Sequence, residues 1–389
     1  MARLRWLTAG ESHGPCLIGI LEGIPAGLPL RPEDIDRELA RRQRGHGRGG
    51  RMEIERDRAE VLAGVRGGVT TGAPIAIRIA NRDWENWREE MAPFGMPPEG
   101  YRPVTVPRPG HADLPGALKY GHRDLRDVIE RASARETAMR VALGAVARML
   151  LAELGIGIAS HVVRIHEAEA PLDVLALGLA AEEINARADR SPVRCLDPGA
   201  GREMIARIDA ARARGDSVGG AFEVLATGVP PGLGSYVHWD RRLDGRIAQA
   251  LMSVPAIKGV EFGLGFSAAE RWGSEVQDEI AWEEGKGLFR PTNRAGGLEG
   301  GVTTGQPILV RAAMKPIPTL SRPLRSVDLK TGKPALAHRE RADVCAVPAA
   351  SIVGEAMLAL VLADAVLERF GGDSLEMIRK SLDERGRPH

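Results

Sequence analysis

"GGVTTGAPI" at residues 67–75 returns as "GGVTTGQPI" at 300–308, and each copy runs into a short apolar stretch, AIRIA or LVRAA. Upstream stands a second related pair, "EGIPAGLP" at 22–29 and "TGVPPGLG" at 227–234. Two elements recurring in the same order mark an internal duplication, and they predict one large domain whose related halves share a core. The separations differ, Gly23 to Gly67 against Gly228 to Gly300, so the second half carries an insertion. No Pro/Ser linker divides the halves, which argues against independent tandem domains. The expected organisation is a single domain over 1–371, with halves of about 1–155 and 156–371, then a flexible C-terminal tail at 372–389.

Caps and periodicity predict helices at 32–43, 136–154, 241–253 and 350–370, and strands at 16–22, 73–80, 158–164, 220–228 and 307–313. Helix and strand mix without regular βαβ alternation, so the fold class is α+β. The run at 350–369 is apolar enough to raise a membrane span, but Glu355 and Asp364 inside it favour a core helix. Two irregular stretches, 81–110 and 314–348, are long enough to read as lids or binding loops.

Composition bounds the function. With 389 residues, 43% hydrophobic and 27% charged, the chain matches a soluble globular protein. A formal net charge of +1 argues against a general polyanion binder. Cys16, Cys195 and Cys345 are far apart and lack CxxC spacing, which indicates neither a disulfide framework nor a zinc site. The first residues, "MARLRWLTAGESHG", lack a long apolar signal-peptide core, and the expected compartment is the cytoplasm.

Against that neutral background, "RRQRGHGRGGR" at 41–51 concentrates positive charge among glycines. Such a run suits either a nucleic-acid backbone or a phosphorylated small molecule held by guanidinium forks. "GESHG" at 10–14 matches a nucleophile elbow at Ser12, but a strand-like run follows where a helix is required. "GHGRGG" at 45–50 matches a dinucleotide fingerprint, yet it follows a helix instead of a strand. Polar clusters in glycine-rich surroundings survive: Ser12 with His13; Arg42, Arg48 and Arg51; Arg108, His111 and Asp113 in "RPGHAD"; Arg131, Ser133 and Arg135 in "ERASARET"; and Arg339, Arg341 and Asp343 in "RERAD". No spacing resembles a metal site. The residues alone point to a pocket for a multiply anionic small molecule, with histidines available for proton transfer near neutral pH.

These clusters stand within longer signatures, "GESHGPCLIGILEGIPAG", "ERASARETAMRVALGAV" and "RADVCAVPAASIVGEAML", supported by "RPGHAD", "ALMSVPAIKGVEFGLGF", "NRAGGLEGGVTTGQPI" and "KPIPT". In this order, over roughly 3–370, they resemble the chorismate synthase family. The resemblance implies a β-α-β sandwich, a cytoplasmic homotetramer, and an enzyme of the shikimate pathway. The implied reaction converts 5-enolpyruvylshikimate 3-phosphate to chorismate and phosphate by anti-1,4-elimination, using reduced FMN without net redox change.

Residue by residue, the resemblance makes His13, beside Ser12, the aid to the departing phosphate, His111 the proton donor to reduced flavin, and Asp343 the relay for the substrate proton. It places flavin contacts at Arg131, Ala132, Ser133, Pro255, Ala256, Gly300, Lys315, Pro316, Ile317, Pro318, Thr319 and Arg341. Ala132 stands where Ser is common, so a backbone contact is expected there, and the small Ala342 separates Arg341 from Asp343. Arg341 is expected to hold the Asp343 carboxylate ionised. Arg42, Arg48, Arg51, Arg108, Ala134 and Arg135 would hold the substrate, with Arg42 and Arg48 alternatively binding the phosphate of NADPH. No additional reductase domain is evident, so an external flavin reductase is expected to supply reduced FMN. Neither nucleic acid nor membrane is expected as a partner.

Overall fold

The computed structural model describes residues 4–50, 55–285 and 287–385. The first half contains β1 (Arg5–Ala9), β2 (Cys16–Glu22), α1 (Pro32–Gln43), β3 (Ala59–Ala63), β4 (Ile75–Ala80), α2 (Asp113–Tyr120), α3 (Arg126–Ala132) and α4 (Thr137–Ala152). The second contains β5 (Gly157–Ile165), β6 (Ala168–Glu169), α5 (Ala181–Ala188), α6 (Pro198–Arg214), β7 (Gly220–Thr227), α7 (Leu243–Met252), β8 (Ile257–Phe262), β9 (Ile308–Met314) and α8 (Val347–Phe370). One sheet runs β1-β2-β4-β3 and the other β8-β9-β7-β5-β6, with antiparallel neighbours throughout. Without the edge strand β6, the two orders are the same.

The repeated sequence does the same work in each half. Thr70 Oγ1 donates to the Pro25 carbonyl at 2.6 Å and accepts from the Leu28 amide at 3.0 Å. Thr303 Oγ1 donates to Pro230 at 2.7 Å and accepts from Leu233 at 2.8 Å. One threonine thus pins the Pro-Gly turn beside its strand pair in both copies. The halves differ where chain was added. Residues 44–58 separate α1 from β3, against 253–256 between α7 and β8, and 263–296 intervene only in the second half.

Helices fill the space between the sheets. α1 starts with Pro32 in its first turn, carries Glu33 and Asp34 there and Arg41 and Arg42 in its last, which complements the helix dipole. α4 packs on the first sheet, α8 on the second, and the two cross at Gly144, where a Cβ would lie 2.4 Å from the Ala356 Cβ. α8 is apolar on nearly all sides because it is buried on nearly all sides. Its Glu355 is held by Arg41 at 2.8 and 2.9 Å and by Arg194 at 3.3 Å, while Asp364 accepts from the Leu4 amide at 2.8 Å. Burial pushes the Glu355 carboxyl up, but Arg41, Arg148 and Arg194 outweigh it and bring it down to about 2.

The expected flexible tail needs correction. Leu375–Arg385 forms a helix, α9, with Leu375 and Ile378 buried and the Leu375 amide donating to the Ala26 carbonyl at 2.9 Å. Apolar residues three apart make this segment part of the core.

Candidate active site

Because the halves repeat, equivalent chain ends meet at one place. The exits of α1 and α7, the loops after β4 and β9, and the first turns of α4 and α8 surround a cavity of about 430 Å³. Thr137 opens α4 there and Ala346 precedes α8, and neither helix has a side-chain cap. Two helix N-termini therefore offer positive dipole ends to an anion. Ala256 lines the same cavity with φ +70°, the left-handed region that disfavours a side chain.

Two Arg–carboxylate–His arrangements occupy the first-half side. His13 lies in the turn between β1 and β2, and its Nδ1 sits 2.8 Å from Glu130 Oε1 on α3. Glu130 in turn receives Arg126 at 3.3 Å. The His13 ring stacks on Trp87, with centroids 4.3 Å apart, and its Nε2 lies 3.9 Å from Asp83. Likewise His111 Nδ1 is 2.5 Å from Asp113, which receives Arg108 Nε at 2.8 Å and Nη2 at 3.0 Å. Burial pushes both carboxyls up, but their histidine and arginine partners hold each below the ordinary range. An ionised carboxylate only accepts, so in each pair Nδ1 is the donor.

Arginine charge gathers on the same side. Arg135 Nη1 bonds Asp57 at 2.6 Å, Arg135 Nε bonds Asn81 at 2.9 Å, and Arg42 Nη2 lies 3.4 Å from Asp57. The Nε of Arg42 and the Nη2 of Arg135 are buried without a hydrogen bond. Burial brings the Arg42 guanidinium down to about 10; Asp57 opposes this, while Arg135 and Arg48 add to it. Arg135 Nη2 faces Glu55 Oε2 at 3.6 Å, and Arg42, Arg48, Arg108 and Arg135 together give the cavity wall a concentration of guanidinium charge that suits an anion.

Asp343 is held differently from the expectation. Arg48 Nη1 lies 2.5 Å from its Oδ2, and the Gly49 amide donates to Oδ1 at 2.7 Å. The exposed Arg341 lines the cavity, but the Asp343 carboxylate meets the glycine loop instead. A Cβ on Gly49 would meet the Ala342 carbonyl at 2.8 Å, so the close approach depends on glycine.

Most expected site residues converge. Ser12, His13, Arg42, Arg48, Arg108, His111, Ser133, Ala134, Arg135, Pro255, Ala256, Lys315, Ile317, Pro318, Thr319, Arg341 and Asp343 all line the cavity. Ser12 and Ser133 hydroxyls meet at 3.0 Å, and Lys315 Nζ donates to the Gly110 carbonyl at 2.5 Å. Arg131, Ala132, Pro316 and Gly300 do not line it. Arg131 turns outward to the carbonyls of Thr8 and Gly10, and Gly300 sits in the short turn between Leu298–Glu299 and Val302–Thr303. Arg51 lies outside the described residues. Asp83, Trp87, Arg126, Glu130 and Glu340 were not anticipated, although Glu130 opens the quoted "ERASARET". Among the described residues no group of three or more His, Cys, Asp or Glu is placed to hold a metal ion.

Comparison with known proteins identifies the family. A family model described as chorismate synthase matches residues 4–367. The chain belongs to the chorismate synthase family. A chorismate synthase of Moorella thermoacetica is 62% identical over 379 residues, spanning 97% of each chain. That of Aquifex aeolicus is 58% identical over 385 residues, spanning 98% of this chain and 97% of its own. A crystal structure of a chorismate synthase superposes with a TM-score of 0.79 at 48% identity, covering 98% of this chain and 97% of that one. Family and fold extend across both halves.

Proposed function

We propose that the chain converts 5-enolpyruvylshikimate 3-phosphate to chorismate and inorganic phosphate, acting as a lyase with reduced FMN bound beside the substrate. The observation that carries this reading is one cavity lined both by Arg42, Arg48, Arg108 and Arg135 and by an apolar wall of Val254, Pro255, Met314, Ile317 and Pro318. A planar ring system suits the wall, and phosphate and carboxylate groups suit the arginines and helix N-termini. Ser133, Pro255, Ala256, Lys315, Ile317, Pro318, Thr319 and Arg341 would hold the flavin; Arg42, Arg48, Arg108, Ala134 and Arg135 would hold the substrate.

The elimination breaks one ring C–H bond and one C–O bond to phosphate and forms one C=C bond, with no net oxidation. Reduced flavin, held by these residues, would supply the electron density that assists the departure of phosphate. His13 gives a proton from Nε2 to the leaving phosphate, whose charge the arginines share. His111 would donate a proton to the reduced flavin. Asp343, oriented by Arg48 and Gly49, accepts the substrate proton. The protein excludes water with the loops after β4 and β9.

The test is an anaerobic assay with 5-enolpyruvylshikimate 3-phosphate and chemically reduced FMN. Chorismate and phosphate are expected in equal amounts, with no turnover on oxidised FMN alone. Production without any flavin, or no product with reduced flavin, overturns the reading.

A further inference from the structure

His13 lies in an irregular turn, so neither helix nor strand geometry orients its ring. Glu130 does this from α3 with both carboxylate oxygens: Oε2 accepts the His13 backbone amide at 2.7 Å and Oε1 meets Nδ1 at 2.8 Å. Glu130 is 1% exposed and lies behind the histidine, away from the cavity lining. The Trp87 face, stacked on the ring, limits its rotation. The same Glu130 oxygen that meets Nδ1 also accepts from Arg126, whose Nη1 is shared between two carboxylates. Arg126 reaches Glu130 Oε1 at 3.3 Å and Glu340 Oε1 at 2.8 Å, and sits 5.0 Å over the Trp87 ring. Glu340 also receives His338 Nε2 at 2.9 Å and stands three residues before Asp343.

We infer that Glu130 is the positioning residue that presents His13 to the substrate through Nε2, and that Arg126 ties this orientation to the loop carrying Asp343. The inference rests on the proposed role of His13 at the leaving phosphate. Glu130 touches neither substrate nor flavin; it acts through the imidazole it holds. An ionised carboxylate accepts from the backbone amide and from Nδ1–H together, which places the exchanging position at Nε2. Arg126, bonded to both Glu130 and Glu340, makes the ring orientation depend on the loop that brings Asp343 into place.

The substitution Glu130→Gln separates orientation from bulk. A carboxamide offers one oxygen and one NH2 group. The backbone amide of His13 can only donate, so it takes the oxygen, and the NH2 group is left to donate into Nδ1. The ring answers by moving its proton to Nε2. The measurement is 15N NMR of histidine-labelled full-length protein at a pH where the imidazole is neutral, with the His13 signal identified by its loss in His13→Asn. The parent is expected to show the Nδ1–H tautomer and Glu130→Gln the Nε2–H tautomer. Turnover is expected to fall by about 10²-fold with substrate KM within a few-fold.

A parent in the Nε2–H tautomer overturns the inference even if the variant does not fold. So does a variant that keeps Nδ1–H, or one that changes tautomer and turns over at the parental rate. Failure of the functional reading is separate: the parent would make no chorismate, while the tautomer of the resting protein would still report what Glu130 does.

Discussion

Residues 4–155 put Arg42, Arg48, Arg108, Arg135, His13 and His111 into the cavity, whereas 156–371, from matching strands and helices, put Val254, Pro255, Ala256, Met314, Ile317 and Pro318 there. The ionic side chains the second half adds, Lys315, Glu340, Arg341 and Asp343, all stand in the loop between β9 and α8. Duplication supplied a frame with a seam, and the two walls of that seam took different chemistry. The difference is concentrated in the connections. The Arg/Gly segment extends the link between α1 and β3, where the second half has only residues 253–256. The ion pairs across the seam also share a polarity among the described residues of 4–371: Arg41 and Arg148 to Glu355, Arg48 to Asp343, and Arg126 to Glu340. First-half cations meet second-half carboxylates, in the core as in the cavity.

The core pairing is the most severe place to break this polarity. Glu355→Gln leaves Arg41, Arg148 and Arg194 with only Glu38 and Asp189 as partners, one buried positive charge in excess, and a loss of about 3–5 kcal/mol in unfolding free energy is expected. Thermal and denaturant unfolding measure it; a loss below about 1 kcal/mol would show that the halves do not depend on this crossing. The pH dependence has a defined sign. With the folded carboxyl at about 2, below its ordinary value, the contribution of Glu355 is fully present above the unfolded value and disappears as pH falls through about 2. Parent stability should therefore decline below about pH 4.5, and Glu355→Gln should show less of that decline.

At the cavity the same polarity is tested through turnover. Asp343→Asn keeps the shape and the contact with the Gly49 amide but removes the proton acceptor. A fall of roughly 10²-fold or more in single-turnover rate is expected, with FMN and substrate affinity within a few-fold. A near-parental rate would leave Asp343 a partner of Arg48 only. Arg48→Ala should act on binding. Loss of a charge-assisted contact weakens the substrate by about 1.5–3 kcal/mol, and anaerobic titration should show the shift in Kd. An unchanged Kd would mean that Arg48 serves Asp343 alone.

How much the sequence disclosed depended on whether the cause was local. The β2 strand and α1 fall where they were expected, because Pro32 and the glycines after Gln43 mark the ends of the helix within its own stretch. The α6 helix went unread despite Asp197 as its cap, whose Oδ1 accepts the Ala200 amide at 2.6 Å, and Gly215 at its end. Gly199 and Gly201 in its first turn disguised a helix that packing sustains. At the site, glycine-embedded histidines and arginines were legible as residue types. Their partners were not: Glu130 stands 117 positions from His13, and Asp343 is gripped from 295 positions away by Arg48 instead of by neighbouring Arg341. Sequence proximity selected the wrong guanidinium because the fold, not the chain, sets that distance.

The smallest expected effect concerns the two helix exits into the cavity. After α1 the chain turns through Gly45 at φ +127°, whereas after α7 it turns through Ala256 at φ +70°. Glycine takes that region freely, while a residue with a Cβ is disfavoured by roughly 1–2 kcal/mol. Ala256→Gly removes that strain but gives the unfolded chain more freedom, worth about 0.5–1 kcal/mol in the opposite sense. The net expectation is a gain of under about 1 kcal/mol in stability, read as a small rise in Tm. If the apolar wall is the flavin side of the cavity, loss of the Ala256 methyl should at the same time weaken FMN binding by a few-fold, measured by fluorescence titration. Higher stability with weaker flavin binding would show that the second half keeps a strained alanine for its surface. A fall in stability would mean that the methyl contributes more to packing than its backbone conformation costs.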